Sequence, residues 1–142
     1  IWLISEKGKG STFYFTIPKS ITNDKKTVLV AEDEENNYIL LVEFLSSLNL
    51  NLIHAINGKE AVEICESNQQ VDLVLMDIKM PVMDGYEATS IIKKLRPGLP
   101  VIAQTAYAFE IDREKAFSAG CIDYIPKPFK KDFLISTIKK YL

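Results

Sequence analysis

The sequence predicts an α/β protein in which five βα units build a doubly wound parallel sheet, with a short β-hairpin in front of it. Two observations carry this expectation. From Thr27 onward, short apolar runs alternate with helical patterns, as strands do when crossover helices separate them. Four of those runs also end in groups suited to one site: Glu32-Asp33, Asp77, Thr105 and Lys127. If the runs are parallel strands, all five groups share one sheet edge. In open parallel sheets that edge binds ligands, where strand order reverses.

The elements follow in order. Residues Ile1 to Pro18 read as a hairpin: Ile1 to Ile4, a turn at Glu6 to Gly10, then Thr12 to Ile17, stopped by Pro18. Lys19 to Lys26 is a polar linker, and residues 27–142 form the larger unit. Its first strand is Val28 to Ala31. The helix Glu35 to Leu48 carries Tyr38, Leu41, Val42, Leu45 and Leu48 on one stripe. Strand two is Leu52 to Ile56, and helix Gly58 to Ser67 turns Ala61, Val62 and Cys65 inward. Strand three runs from Val71 into Asp77. The helix Asp84 to Leu95 buries Tyr86, Ile91, Ile92 and Leu95, and Pro97-Gly98 ends it. Val101 to Gln104 forms strand four and ends at Thr105. Phe109 to Ala119 is a weaker amphipathic helix stopped by Gly120. Ile122 to Ile125 is strand five, and Lys131 to Tyr141 closes the chain with Phe133, Leu134, Thr137, Ile138 and Tyr141 available to the core.

Composition excludes several classes. The 142 residues allow one ordinary domain and a little more. A net charge of −2 gives no basic face for direct nucleic-acid binding. The longest apolar runs fall far short of a membrane span, and the opening residues lack a basic region followed by a long apolar stretch. Cys65 and Cys121 are too few for a metal site or a disulfide framework, and read as packed thiols of a reducing compartment. His54, the one histidine, falls in a strand and reads as an ordinary strand residue.

The strand ends carry the chemistry. Glu32, Asp33 and Asp77 converge if strands one and three are neighbours, as the order 2-1-3-4-5 provides. Three close carboxylates repel one another unless a cation neutralises them. An all-oxygen site favours magnesium (Mg2+) over zinc, which takes His or Cys. A hydroxyl at Thr105 can donate to a phosphoryl oxygen, and the Lys127 ammonium can act as a point charge on another.

These residues resemble the receiver domain of two-component signalling. The match lies in Glu32-Asp33, in the stretch Met76-Asp77-Ile78-Lys79-Met80-Pro81-Val82-Met83-Asp84-Gly85, in Thr105-Ala106, and in Tyr124-Ile125-Pro126-Lys127-Pro128-Phe129. The resemblance implies a flavodoxin-like fold and a magnesium cofactor. It implies that Asp77 accepts a phosphoryl group from a phosphohistidine on a kinase domain. Asp33 and Asp77 would ligate magnesium directly, Glu32 through water, and Lys79 through its backbone carbonyl. Thr105 and Lys127 would hold the phosphoryl oxygens, with Tyr124 turning inward as Thr105 moves. The output surface would be the fourth helix, fifth strand and fifth helix, passing the signal to a histidine phosphotransfer protein or an output domain. A cis Lys127–Pro128 bond is implied as well. Tyr107 and Lys79, two residues after Thr105 and Asp77, would flank the path of attacking water and set the lifetime of the phosphorylated state.

Residues Gly8 to Pro18 resemble the last hairpin of a histidine-kinase ATPase domain. The parent would then be a hybrid sensor histidine kinase, with this stretch in its cytoplasmic part. The glycines do not have phosphate-loop spacing, so no ATP binding is expected of the hairpin. Its apolar face and open edges suit packing on the larger unit or pairing with a second copy, which would give a homodimer. The main rival is a magnesium-dependent phosphatase with an aspartate nucleophile. Such enzymes place an acid two residues after the nucleophile, and here that residue is Lys79. A receiver that no longer takes phosphate is disfavoured by the full set of site residues. The fragment is expected to label and unlabel itself rather than act as a multiple-turnover enzyme.

Overall fold

The computed structural model describes residues 2–5, 11–14, 25–106 and 110–142. The strands β1 (Trp2–Ser5) and β2 (Ser11–Tyr14) pair antiparallel, with Trp2 opposite Tyr14 and Ser5 opposite Ser11. Among the described residues the two predicted strands therefore pair as a hairpin. Its turn, the residues from Phe15 to Pro18 and most of the linker lie outside the described residues.

A parallel sheet follows, formed by β3 (Thr27–Ala31), β4 (Asn51–Ala55), β5 (Val71–Asp77), β6 (Val101–Thr105) and β7 (Asp123–Pro126). The order is β4-β3-β5-β6-β7, which is 2-1-3-4-5 counted within the sheet. Every adjacent pair is parallel. Val28 to Ala31, Leu73 to Met76 and Val101 to Ala103 are buried and apolar without a break because both faces of the central strands are covered. Leu29 and Ala31 join one core with Ala61 and Cys65 of α2 (Gly58–Ser67), Ala88 and Ile92 of α3 (Gly85–Leu95), and Ala116 of α4 (Glu110–Ala119). Val28 and Val30 join the other core with Leu41 and Leu45 of α1 (Glu35–Leu45) and Leu134 and Ile138 of α5 (Lys131–Lys139).

Helix starts follow local chemistry. The Asn57 side chain accepts from the Glu60 N–H at 2.8 Å, while the Glu60 carboxylate accepts from the Ile56 N–H at 2.8 Å. This reciprocal pair caps α2. Asp84 caps α3 by accepting from the Glu87 N–H at 2.9 Å.

Several expectations need correction. The first helix closes in a 3-10 turn at Ser46–Leu48, and Val42 is exposed because the buried line runs through Leu41 and Leu45. Leu95 is exposed at the last residue of α3; the chain turns after it and buries Leu99 instead. Phe133 is exposed because the inward face of α5 centres on Leu134, Thr137 and Ile138. Strand two lies one residue earlier than predicted, which leaves Ile56 exposed. The fifth strand starts at Asp123, with Ile122 and Cys121 ahead of it. The start of the fourth helix at Phe109 lies outside the described residues. The Lys127–Pro128 bond is cis, as expected.

Both cysteines are buried thiols, and burial pushes each up to about 11. The reactive thiolate is therefore scarce at pH 8. A soluble thiol reagent at pH 8 should label neither cysteine in the native protein and both in denaturant. Rapid native labelling of either would contradict this packing.

Candidate functional site

Four strand ends deliver the predicted groups to one edge. Glu32 and Asp33 follow β3, Asp77 and Thr105 are the last residues of β5 and β6, and Lys127 follows β7. Backbone bonds lock these ends together: Glu32 N–H to the Ala55 carbonyl, Ile78 N–H to that of Gln104, and Lys127 N–H to that of Thr105, at 3.0, 3.1 and 2.8 Å.

Lys127 stands at the centre. Its Nζ donates to Glu32 Oε2 at 2.7 Å and to Asp77 Oδ2 at 2.8 Å. Glu32 is fully buried, and Asp77, 5% exposed, meets solvent only at the cleft it lines. Glu32 Oε1 accepts from the Asn37 side chain at 3.2 Å and from the Glu34 N–H at 3.3 Å. Asp77 Oδ1 accepts from the Lys79 N–H at 3.1 Å. Burial pushes the Asp77 carboxyl above its ordinary value, and Glu32 adds to this; Lys127 and the Lys79 N–H oppose it. Burial alone would lower Lys127, but the bonds to Asp77 and Glu32 outweigh it and hold the ammonium above its ordinary value. One ammonium shared by two carboxylates keeps itself charged without fully offsetting the burial of Asp77.

Asp33 is exposed beside this pair, and ligand oxygens of Glu32, Asp33 and Asp77 all lie within 4.8 Å of one another. Three carboxylates facing one lysine leave a local excess of negative charge. The donors are all hard oxygens. That set fits a hexacoordinate divalent cation such as magnesium, which favours carboxylates and water.

The site opens into a cleft of about 920 Å³ lined by Asp33, Asp77, Lys79, Thr105 and Lys127 among others. The structure thus brings together all the predicted site residues except two. Tyr124 sits apart, half-buried against the α2–α4 core, and Tyr107 lies outside the described residues. Asn37, Tyr86 and Asp112 also belong to the cleft and were not foreseen. Asn37 was within reach of sequence reasoning, because it lies in the first turn of the helix that follows Glu32-Asp33, and its side chain donates to Glu32 and Glu34. Tyr86 and Asp112 meet only through the packing of α3 on α4. The Tyr86 hydroxyl is raised first by burial and then by Asp112. His54 is structural: its Nε2 lies 2.8 Å from the Glu32 backbone carbonyl, and its ring stacks on Tyr38 at 3.6 Å.

This fold and site define a phospho-accepting receiver. The chain matches the response regulator receiver domain over residues 28–139 and belongs to that family. It is 38% identical over 120 residues to the polar-differentiation response regulator DivK of Brucella anthropi, covering 82% of this chain and 96% of that protein. It is 37% identical over 131 residues to hybrid signal transduction histidine kinase G of Dictyostelium discoideum, covering 88% of this chain but 4% of that protein. A second Dictyostelium hybrid kinase is likewise matched over 9% of its length. Among solved structures, the receiver domain of a Pseudomonas aeruginosa sensor histidine kinase, with magnesium in its active-site cleft, has a TM-score of 0.76 and 35% identity, covering 82% of this chain and 97% of that one. The Saccharomyces cerevisiae receiver domain of Ssk1, crystallised with the phosphotransfer protein Ypd1, has a TM-score of 0.77 and 30% identity, covering 82% and 88%. The family places this chain in two-component phosphorelay signalling, and the phosphatase reading is not favoured.

A cation that binds the folded site stabilises it by mass action, by about 2.7 kcal/mol at a hundredfold excess over its dissociation constant. Magnesium should therefore raise the melting temperature by several degrees, and Asp33→Asn should remove most of that rise. An equal rise in the variant would exclude Asp33 from the cation site.

Proposed function

We propose that Asp77 is the phosphoacceptor and that the chain is the receiver of a hybrid sensor histidine kinase. The observation that carries this is the buried Asp77 carboxylate at the floor of the cleft, held between Lys127, the Lys79 N–H and two further acids. An oxygen of Asp77 attacks the phosphorus of a phosphohistidine. The O–P bond forms as the P–N bond breaks, and its electron pair leaves with the imidazole nitrogen. Phosphoryl transfer of this kind needs alignment and charge neutralisation more than covalent help.

Asp33 and Asp77, the Lys79 carbonyl, and Glu32 through water would hold magnesium, which supplies that neutralisation when bound. Lys127 exchanges part of its contact with Asp77 for a phosphoryl oxygen, and Thr105 donates to another. The added charge draws Thr105 inward and Tyr124 follows, changing the surface of α4, β7 and α5. Slow hydrolysis resets the site, so the domain dephosphorylates itself.

The phosphoryl donor is a kinase phosphohistidine domain, and the next acceptor is a histidine phosphotransfer protein or an output domain; likeness to the Ssk1 receiver, which lies downstream of the phosphotransfer protein Ypd1, supports recognition of such a protein and not the direction of transfer. No helix among the described residues is long and apolar enough to cross a membrane, and we place the domain on the cytoplasmic side of its parent. Residues 1–18 are the end of the preceding ATPase domain, and 19–26 the linker.

Incubation with acetyl phosphate and magnesium should add one phosphoryl group, seen as one mass shift, and Asp77→Asn should abolish it. Normal labelling of the variant would end the assignment. From its place two residues after Thr105 we assign Tyr107 the role of shielding the phosphoryl group from water, and we assign Lys79 that of crowding or orienting the water. Loss of label should then quicken several-fold in Tyr107→Ala at fixed magnesium; unchanged or slower loss rules out the shield.

A further inference from the structure

The start of α4 is attached to the domain by polar side chains more than by an apolar face. Ala116 is the one buried residue of this helix, while Ile111 and Phe117 are exposed. Two consecutive residues make the attachments. The Tyr86 hydroxyl, on α3, donates to the Asp112 carboxylate and backbone carbonyl at 3.4 and 3.5 Å. Arg113 places its guanidinium carbon 4.6 Å from the centroid of the Tyr124 ring. Tyr124 also packs on the apolar cluster beneath the helices, so one ring touches both the fixed core and a cation on α4. Tyr86 and Asp112 line the same cleft as Asp77 and Lys127. Asp112 is therefore the residue by which the described part of α4 borders that cleft.

We propose that Arg113 is a positioning residue: by stacking on Tyr124 it ties α4 to β7 and favours the resting arrangement over the phosphorylated one. This rests on the role given to Tyr124 above and adds the group that opposes its movement. A ring drawn from this position toward Thr105 leaves the guanidinium behind. A contact present in one state and lost in the other biases the equilibrium by its own free energy. Exposed cation–π contacts are modest, so the bias is roughly two- to five-fold.

The test is beryllofluoride, a phosphoryl analogue, titrated with magnesium into wild type, Arg113→Met and Arg113→Lys while amide and tyrosine ring NMR signals are followed. Arg113→Met should bind about two- to five-fold more tightly, and Tyr124 ring signals should shift towards their bound positions before any ligand is added. Arg113→Lys, which keeps a cation, should fall near wild type. Because Arg113 is exposed, a purely structural role would leave affinity unchanged or weaken it, and either result overturns the proposal. The wild type tests the reading beneath it. Wild-type binding that survives Asp77→Asn would overturn the acceptor assignment, and this proposal with it.

Discussion

Two carboxylates, Glu32 and Asp77, are buried at the ends of neighbouring strands and share one ammonium, and the rest of the structure is arranged so that they can. An unpaired buried charge is far costlier than a paired one. Lys127 arrives from β7, so it must reach past the end of β6 to meet acids on β5 and β3. That is possible only if four parallel strands end level with one another. The backbone bonds from Glu32, Ile78 and Lys127 to their neighbouring strands enforce that level edge. Asp33, left outside the pair and exposed to the cleft, adds the charge that Lys127 does not balance.

The loop between Asp77 and α3 is held by close backbone approach. A side-chain carbon at Gly85 would lie 2.2 Å from the Asp77 carbonyl oxygen, and one at Gly58 would lie 2.5 Å from that of Met83. Gly85 and Gly58 also donate their N–H groups to the carbonyls of Ile78 and Met83, at 2.9 and 3.1 Å. The loop is thereby clamped at both ends, and its middle carries the distortion. Val82 has φ +72° and is 79% exposed, while the Met83 N–H bonds back to the Pro81 carbonyl at 2.8 Å. A β-branched residue in the left-handed region stores strain of about 1–3 kcal/mol. Rigidity at Asp77 thus coexists with a strained, solvent-facing tip.

The sheet was legible because its central strands are buried on both faces and therefore read as largely apolar runs. The site was legible for a related reason: in a parallel sheet, strand ends map directly onto sequence positions. Glu32, Asp33, Asp77, Thr105 and Lys127 could be grouped before any contact was known. Helix faces were harder to read. Periodicity marks large apolar residues, and so it favoured Val42, Leu95 and Phe133, whereas the close approach of α2 to α3 is made by Gly58 against Ala88. Small residues leave no hydrophobic signal, although they decide how near two helices come. Tyr86 and Asp112 were invisible for another reason, since one reads as a core aromatic and the other as an ordinary surface acid until α3 and α4 are adjacent.

The contrast between α4 and the other helices explains how a change at Asp77 could travel without disturbing the fold. The other four helices each bury at least two residues against the sheet, whereas α4 buries one. Elements with few buried contacts open at low free-energy cost. Moving the turn of α4 around Asp112 and Arg113 therefore breaks the long Tyr86–Asp112 bonds and the Arg113–Tyr124 stack, while Ala116 stays in the core around Leu29 and the core around Val30 is untouched. A charge added at the cleft is worth only a few contacts, and those are the few that hold α4. The level strand edge must be stiff so that Lys127 can serve two acids. The helix beside it must be weakly held so that a change in what Lys127 touches can be felt at the surface.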